Sequence, residues 1–197
     1  MNQLQNTTFL LMRHAETDWN LERRFQGQQD IPLNATGLLQ AKALPDLLAE
    51  KHPDIAAIYS SDLLRAHQTA LKTGEQFKLP VATCPTLREQ HGGIKEGMVF
   101  PERGAYSSLA PGEEPLSAVT QRIEKKLFTL AQNHPQQKIA IFSHGMALKA
   151  WVAYIDATPP KELSTIYIPN CGILEVELSS TSSWTLLASP NTQQSLA

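Results

Sequence analysis

Three places in the sequence set basic or titratable side chains at the end of an apolar run. The first is FLLMRHAETDWN, where Phe9–Met12 gives way to Arg13 and His14, with Asn20 close behind. The second is IAAIYSSDLLRA, which reaches Arg65. The third is KIAIFSHGMA, which ends on Ser143, His144 and Gly145. If the runs are adjacent parallel strands, Arg13, His14, Arg65 and His144 converge on one pocket. Two arginines, two histidines and the positive end of a helix make an anion site.

Each residue taken alone has a structural reading. A histidine after a strand is commonly a satisfied structural group, and Arg65 can be a solvated helix cation. Asn20 can form a turn, and Glu89 in TLREQHGG can be an exposed loop acid. Their shared placement at strand-to-helix or strand-to-loop junctions argues against reading them singly. A metal site drawn from His14, His91, His144 and Glu89 is the competing arrangement. No HExxH, paired CxxC or DxD spacing supports it, and arginines beside the histidines would repel a cation. The phosphate loop GxxxxGK[ST], GxGxxG and GxSxG are all absent. Neither Cys84 nor Cys171 has a basic neighbour in sequence to activate a thiolate.

The elements that must position these groups alternate between strand and helix. TTFLLMR and IAAIYSS read as buried strands, VATC as a short third strand and KIAIFS as the clearest strand. Thr36 is expected to cap a helix beginning GLLQAKAL, with Pro45 kinking or dividing it. Ser61 is expected to cap DLLRAHQTALKTGEQF. Leu116, Val119, Ile123, Leu127 and Leu130 fall at helical spacing, as do Leu148, Trp151, Val152 and Ile155. GILEVEL alternates like a half-exposed strand, and SWTLLAS pairs with it as a hairpin. The expected fold is α/β, a three-layer α/β/α sandwich with a mostly parallel central sheet. Ligands bind such sheets beyond the carboxyl ends of the strands.

The bulk numbers bound the rest. The 197 residues fit a single domain, with 99–115 as a Gly- and Pro-rich lid loop and 189–197 as a flexible tail. An apolar content of 42% and a charged content of 18% describe an ordinary globule. The net charge of −2 offers no broad basic face for nucleic acid, so any positive site is local. No run approaches the ~20 apolar residues that span a bilayer, and the polar start has no signal-peptide pattern. Two cysteines form no disulfide framework, and a cytoplasmic location is expected. Oligomeric state is not legible.

RHAETDWN resembles the RHG-type signature of the histidine phosphatase superfamily, which includes phosphoglycerate mutases and many phosphatases. RFQGQQDIPLNATGLLQA, SSDLLRAHQTA, LREQHGGIKEG, PGEE and FSHG are similar to the family's later blocks and follow its order. The resemblance covers roughly Phe9 to Ala147. It implies that His14 is a nucleophile forming a phosphohistidine. Arg13, Arg65 and His144 would clamp the phosphoryl oxygens, with Asn20, Gln26, Gly27 and Gly145 lining the pocket. Glu89 would be the general acid. No cofactor or metal is implied, because fixed guanidinium groups stabilise the charge of phosphoryl transfer. The partner would be a small-molecule phosphomonoester.

Two departures refine the expectation. Ala15 stands where the family usually has glycine, which strains the chain if φ is positive and is harmless if φ is negative. In the acid block, Gln90 and Gly92 occupy places where glycolytic mutases usually carry Arg and Tyr. The lid between Gly97 and Pro111 carries one arginine, Arg103. These features favour a phosphatase over a mutase, with a catalytically impaired phosphate-binding protein as a third reading. Gly92, Gly93, Ile94, Met98, Phe100 and Tyr106 suggest a roomy, partly apolar surround.

Overall fold

The computed structural model describes residues 5–100, 109–158, 163 and 165–189. In chain order its strands are β1 (Thr7–Arg13), β2 (Ile55–Ser60), β3 (Val81–Thr83), β4 (Lys138–Ser143), β5 (Ile173–Leu178) and β6 (Trp184–Ala188). Its α-helices are α1 (Asp18–Leu21), α2 (Ala35–Lys51), α3 (Leu64–Phe77), α4 (Leu116–Asn133) and α5 (Gly145–Ile155). The strands form one sheet in the order β3-β2-β4-β1-β5-β6. β3, β2, β4 and β1 are mutually parallel, and β5 pairs antiparallel with both β1 and β6. The architecture is the α/β sandwich with a mostly parallel sheet that the alternation of elements predicts.

β1 reads as a continuous apolar run because both of its faces are covered. Phe9 and Leu11 pack with Val119, Ile123 and Leu127 of α4 and Leu148 and Trp151 of α5. Leu10 and Met12, one residue out of phase, pack with Ala41, Leu44 and Leu48 of α2 and Ala70 of α3. Side chains alternate across a strand, so two helical layers require apolar residues at every position from Phe9 to Met12. The apolar stripe of α4 thus faces the sheet as its spacing predicts.

Three expectations about helices are corrected. α2 begins at Ala35, one residue before Thr36, and its cap is Asn34, whose Oδ1 accepts from Gly37 N at 2.8 Å. α2 then runs unbroken through Pro45. An interior proline costs about 3 kcal/mol, and burial of Leu44, Pro45 and Leu48 against the sheet offsets it. α3 begins at Leu64 rather than just after Ser61. Ser61 Oγ accepts from Leu63 N instead, and Asp30 Oδ1 accepts from Leu64 N at 2.6 Å, so the cap comes from a distant loop. β5 is also more buried than its alternation suggests, because it lies inside the sheet between β1 and β6.

Of the expected lid, residues 101–108 lie outside the described residues, Arg103 and Tyr106 among them, and so does all but Ser189 of the tail. Among the described residues no helix is long and apolar enough to cross a membrane.

Trp151 is fully buried and meets the Trp184 ring edge-on, with centroids 4.9 Å apart. Replacing Trp151 with Ala should destabilise the protein by about 3–5 kcal/mol. A urea unfolding midpoint equal to that of the unaltered protein would show that the α5 face of the core is not packed as described.

Candidate active site

The three polar junctions meet because β2, β4 and β1 are adjacent and parallel. The register sets Arg13 opposite Ser143, and His14 N donates to Ser143 O at 3.0 Å. At this edge lies a pocket of about 180 Å³ lined by Arg13, His14, Asn20, Gln26, Gly27, Arg65, Glu89 and Gly145. Of the residues expected at the site, only His144 is absent from the lining. It lies wholly buried beside His14, with ring centroids 5.2 Å apart. Both of its ring nitrogens are buried and lack a hydrogen-bond partner among the described residues.

His14 is almost wholly buried, and its Nδ1 is 2.7 Å from the carbonyl oxygen of Ala15. A carbonyl only accepts, so the proton sits on Nδ1 and Nε2 keeps its lone pair. Burial, reinforced by Arg65 and Arg13, holds His14 well below the ordinary histidine value. Burial and Arg65, with smaller contributions from His14 and the other nearby cations, do the same for His144. Both rings are therefore neutral near pH 7.

The Arg65 guanidinium is fully buried and forms no ion pair among the described residues. Its Nη1 donates to Gln29 O and its Nη2 to Gly27 O, each at 2.8 Å. Burial pushes it down to about 10. Gly27 has φ +50°, and a Cβ there would stand 2.0 Å from Glu96 Oε1, so the loop needs glycine on both counts. Glu96 accepts from Gln28 N and Gly92 N at 2.9 Å each, and from the Gln29 side chain. Burial alone would raise the Glu96 carboxyl, but those backbone bonds outweigh it and lower the value. Arg13 Nη1 donates to Ile168 O at 2.8 Å. A Cβ on Gly145 would lie 3.3 Å from Arg13 Nε, so the bare backbone lets this guanidinium sit over the start of α5.

Glu89 occupies the start of α5. Its Oε1 accepts from Ala147 N at 2.7 Å and Gln90 N at 2.9 Å, and its Oε2 accepts from Met146 N at 3.0 Å. The Met146 and Ala147 amides of this positive helix end therefore serve Glu89, while Gly145 lines the pocket. Arg122 fixes this segment from behind, donating to Thr86 O, Arg88 O and Glu89 O while pairing with Glu114. Asn20 turns its Oδ1 toward Thr17 N and Asn170 Nδ2, and its pocket position leaves the amide nitrogen for a ligand.

Ala15 is not among the residues with positive φ. It is fully buried in the apolar cluster of Leu10 and Met12, so its methyl group is accommodated. Gly92 and Phe100 line the pocket as expected, whereas Gly93, Ile94 and Met98 do not. His91 is exposed, its Nδ1 lies 3.0 Å from Gly93 N and 3.1 Å from Gly112 O, and it does not line the pocket. Among the described residues no group of three or more His, Cys, Asp or Glu side chains is placed to hold a metal ion.

Sequence reasoning missed four contributors. Asn170 Nδ2 donates to His14 O at 2.9 Å and to Asn20 Oδ1 at 3.2 Å. Thr69 Oγ1 accepts from Ala15 N and donates to Arg65 O, tying α3 to the end of β1. Arg122 and the pocket-lining Lys149 complete the set. Asn170 was findable in part, since β5 lies antiparallel to β1 and its start must fall at the edge where β1 ends.

The histidine phosphatase superfamily (branch 1) model matches residues 9–192. The chain belongs to that family. It is 36% identical to the uncharacterized phosphatase PhoE of Bacillus subtilis over 84% of this chain and 86% of that protein. It is 31% identical to the probable phosphoglycerate mutase GpmB of Yersinia enterocolitica, over 85% of this chain and 83% of that one. Among solved structures it is similar to a mycobacterial glucosyl-3-phosphoglycerate phosphatase complexed with VO3. That match has 27% identity and a TM-score of 0.81 over 92% of this chain and 97% of that one.

Neutral burial of two histidines fixes a pH dependence. Below 6.5, the ordinary histidine value, the unfolded chain takes up protons that the folded one refuses. Stability is therefore retained above that pH and lost as pH falls, by up to about 1.4 kcal/mol per pH unit for each histidine. Urea unfolding at pH 7.5 and 5.5 should show the loss, and a His144→Asn variant should show a smaller one. Equal losses in the two proteins would contradict neutral burial of His144.

Proposed function

We propose that this chain is a metal-independent phosphomonoesterase acting on a small organic phosphate through a phosphohistidine on His14. The observation that carries the reading is the bond from His14 Nδ1 to Ala15 O. It leaves Nε2 as a neutral nucleophile in a pocket whose nearest cations, Arg13 and Arg65, are fixed by backbone carbonyls. Family membership and similarity to phosphatases support the same reaction class.

In the first step Nε2 attacks phosphorus and the bond from phosphorus to the leaving oxygen breaks. Arg13 and Arg65 stabilise charge on the phosphoryl oxygens without reorganising. His144, whose buried nitrogens otherwise lack partners, gives one of those oxygens a hydrogen bond. Glu89 supplies the proton to the leaving oxygen. Its Oε1 already accepts two amide hydrogens and its Oε2 only one, so Oε2 is the oxygen with room for that proton. In the second step the Glu89 carboxylate takes a proton from water, water oxygen attacks phosphorus, and the nitrogen–phosphorus bond breaks. Phosphate leaves and neutral His14 is restored.

The same two-step scheme run with transfer back to substrate would be a mutase. Gln90 bears on that choice. Its amide donates to Glu114 O at 2.7 Å, so this position holds no cation where the glycolytic mutases usually carry Arg. This favours water as the acceptor.

The test is phosphate release from p-nitrophenyl phosphate in excess EDTA. His14→Ala should cost roughly five orders of magnitude, about 7 kcal/mol of barrier. Glu89→Gln should cost about 10²–10⁴ with an alkyl phosphate and far less with p-nitrophenyl phosphate, whose leaving group needs no proton. Full activity in His14→Ala, or loss of activity on chelation, would refute the mechanism. Isomerisation of phosphoglycerates without phosphate release would establish the mutase instead.

A further inference from the structure

We infer that Lys149 selects substrates whose leaving group carries a second anionic group, a carboxylate in the simplest case; the inference rests on the phosphatase reading above. Lys149 lies on α5 one turn beyond Gly145 and lines the pocket together with Gly145 and Met146. Among the described residues its ammonium forms no hydrogen bond or ion pair. The pocket's other charged groups Arg24, Glu113, Arg13 and Arg65 already have partners. Arg24 pairs with Glu22 and donates to Gly97 O at 2.9 Å. Glu113 pairs with Lys95 at 2.8 Å. Arg13 and Arg65 are anchored to carbonyls beside His14.

Charge accounting makes the unpartnered ammonium informative. Arg13 and Arg65 match the two charges of a phosphoryl dianion. While Glu89 is ionised, it offsets Lys149. When Glu89 carries the proton that the leaving oxygen requires, Lys149 is left without a counter-charge. An anionic leaving group restores the balance at that moment. Burial, with Arg13 nearby, lowers the Lys149 ammonium from its ordinary value while Glu89 opposes the change, so the group is placed to sense both. The carbon skeleton between the two anionic ends would lie along Met146 and the stacked rings of Phe25 and Phe100, whose centroids are 4.0 Å apart.

The experiment compares 3-phosphoglycerate with glycerol 3-phosphate, which differ only by a carboxylate against a hydroxymethyl group. Phosphate release is measured for both, with p-nitrophenyl phosphate as a reference. The unaltered protein should favour 3-phosphoglycerate in kcat/KM by about tenfold or more, chiefly through KM. Lys149→Met should bring that ratio close to one, and Lys149→Arg should keep it. A thermal melt confirms that both variants fold. Hydrolysis of p-nitrophenyl phosphate without a preference for the carboxylate, or an undiminished ratio in a folded Lys149→Met protein, overturns the role of Lys149 alone. No phosphate release from any of the three substrates overturns the phosphatase reading and this inference together.

Discussion

A guanidinium wholly removed from water with no ion-pair partner among the described residues is the constraint around which this site is organised. Removing one charge from water costs several kcal/mol unless its donors are met. Arg65 offsets part of that cost with two carbonyls of one loop, Gly27 O and Gln29 O, while its Nε has no partner among the described residues. A carbonyl satisfies hydrogen bonds but cancels no net charge. The positive potential is therefore left for a ligand, and the neighbouring imidazoles stay neutral within it. The same demand dictates the loop. Its carbonyls can face Arg65 only if Gly27 takes a left-handed turn, and its amide at Gln28 then points outward to Glu96.

Two carboxylates divide the work that this potential creates. Both are held by amide donors, and neither forms an ion pair with Arg13 or Arg65. Glu96 accepts from the Gln28 and Gly92 amides and staples the Gly27 loop to the segment after the acid block. Glu89 accepts from the first turn of α5 and faces the pocket with one lone pair to spare on Oε2. Each carboxylate has already met three donors, so what separates them is position: Glu89 lines the pocket and Glu96 does not. Arg122 stands one layer further out, and its bonds to the carbonyls of Thr86, Arg88 and Glu89 hold the acid block in line with α5.

The sheet and the centre of the site were legible because their signals are local. Continuous apolar runs gave β1 and β4, and a basic or imidazole residue at the end of a strand pointed to the pocket edge. Ordered blocks along the chain fixed His14, Arg65, Glu89 and His144 as a set. Helix starts were less legible, because caps compete over a few residues and can come from afar. Asn34 displaced Thr36, and Asp30 serves α3 from over thirty residues away in sequence. Pro45 does not divide α2, because tertiary burial outweighs a local penalty. Lys149, Thr69 and Arg122 left no sequence signal, since a lysine, threonine or arginine on an amphipathic helix normally faces solvent. Their roles exist only once α3, α4 and α5 are laid against the ends of β1 and β4.

Ala15 shows how a departure in sequence can leave the chemistry intact. The residue acts through its backbone: its carbonyl accepts from His14 Nδ1, and its N–H donates to Thr69 Oγ1 at 3.0 Å. Neither bond depends on a side chain. The methyl group points into the apolar cluster rather than into the pocket, and φ is not positive, so it neither strains the turn nor crowds the ligand. The reading of an impaired site rested on that one substitution. With the tautomer of His14 set by a carbonyl that any residue would supply, the substitution gives no reason to expect a weaker nucleophile.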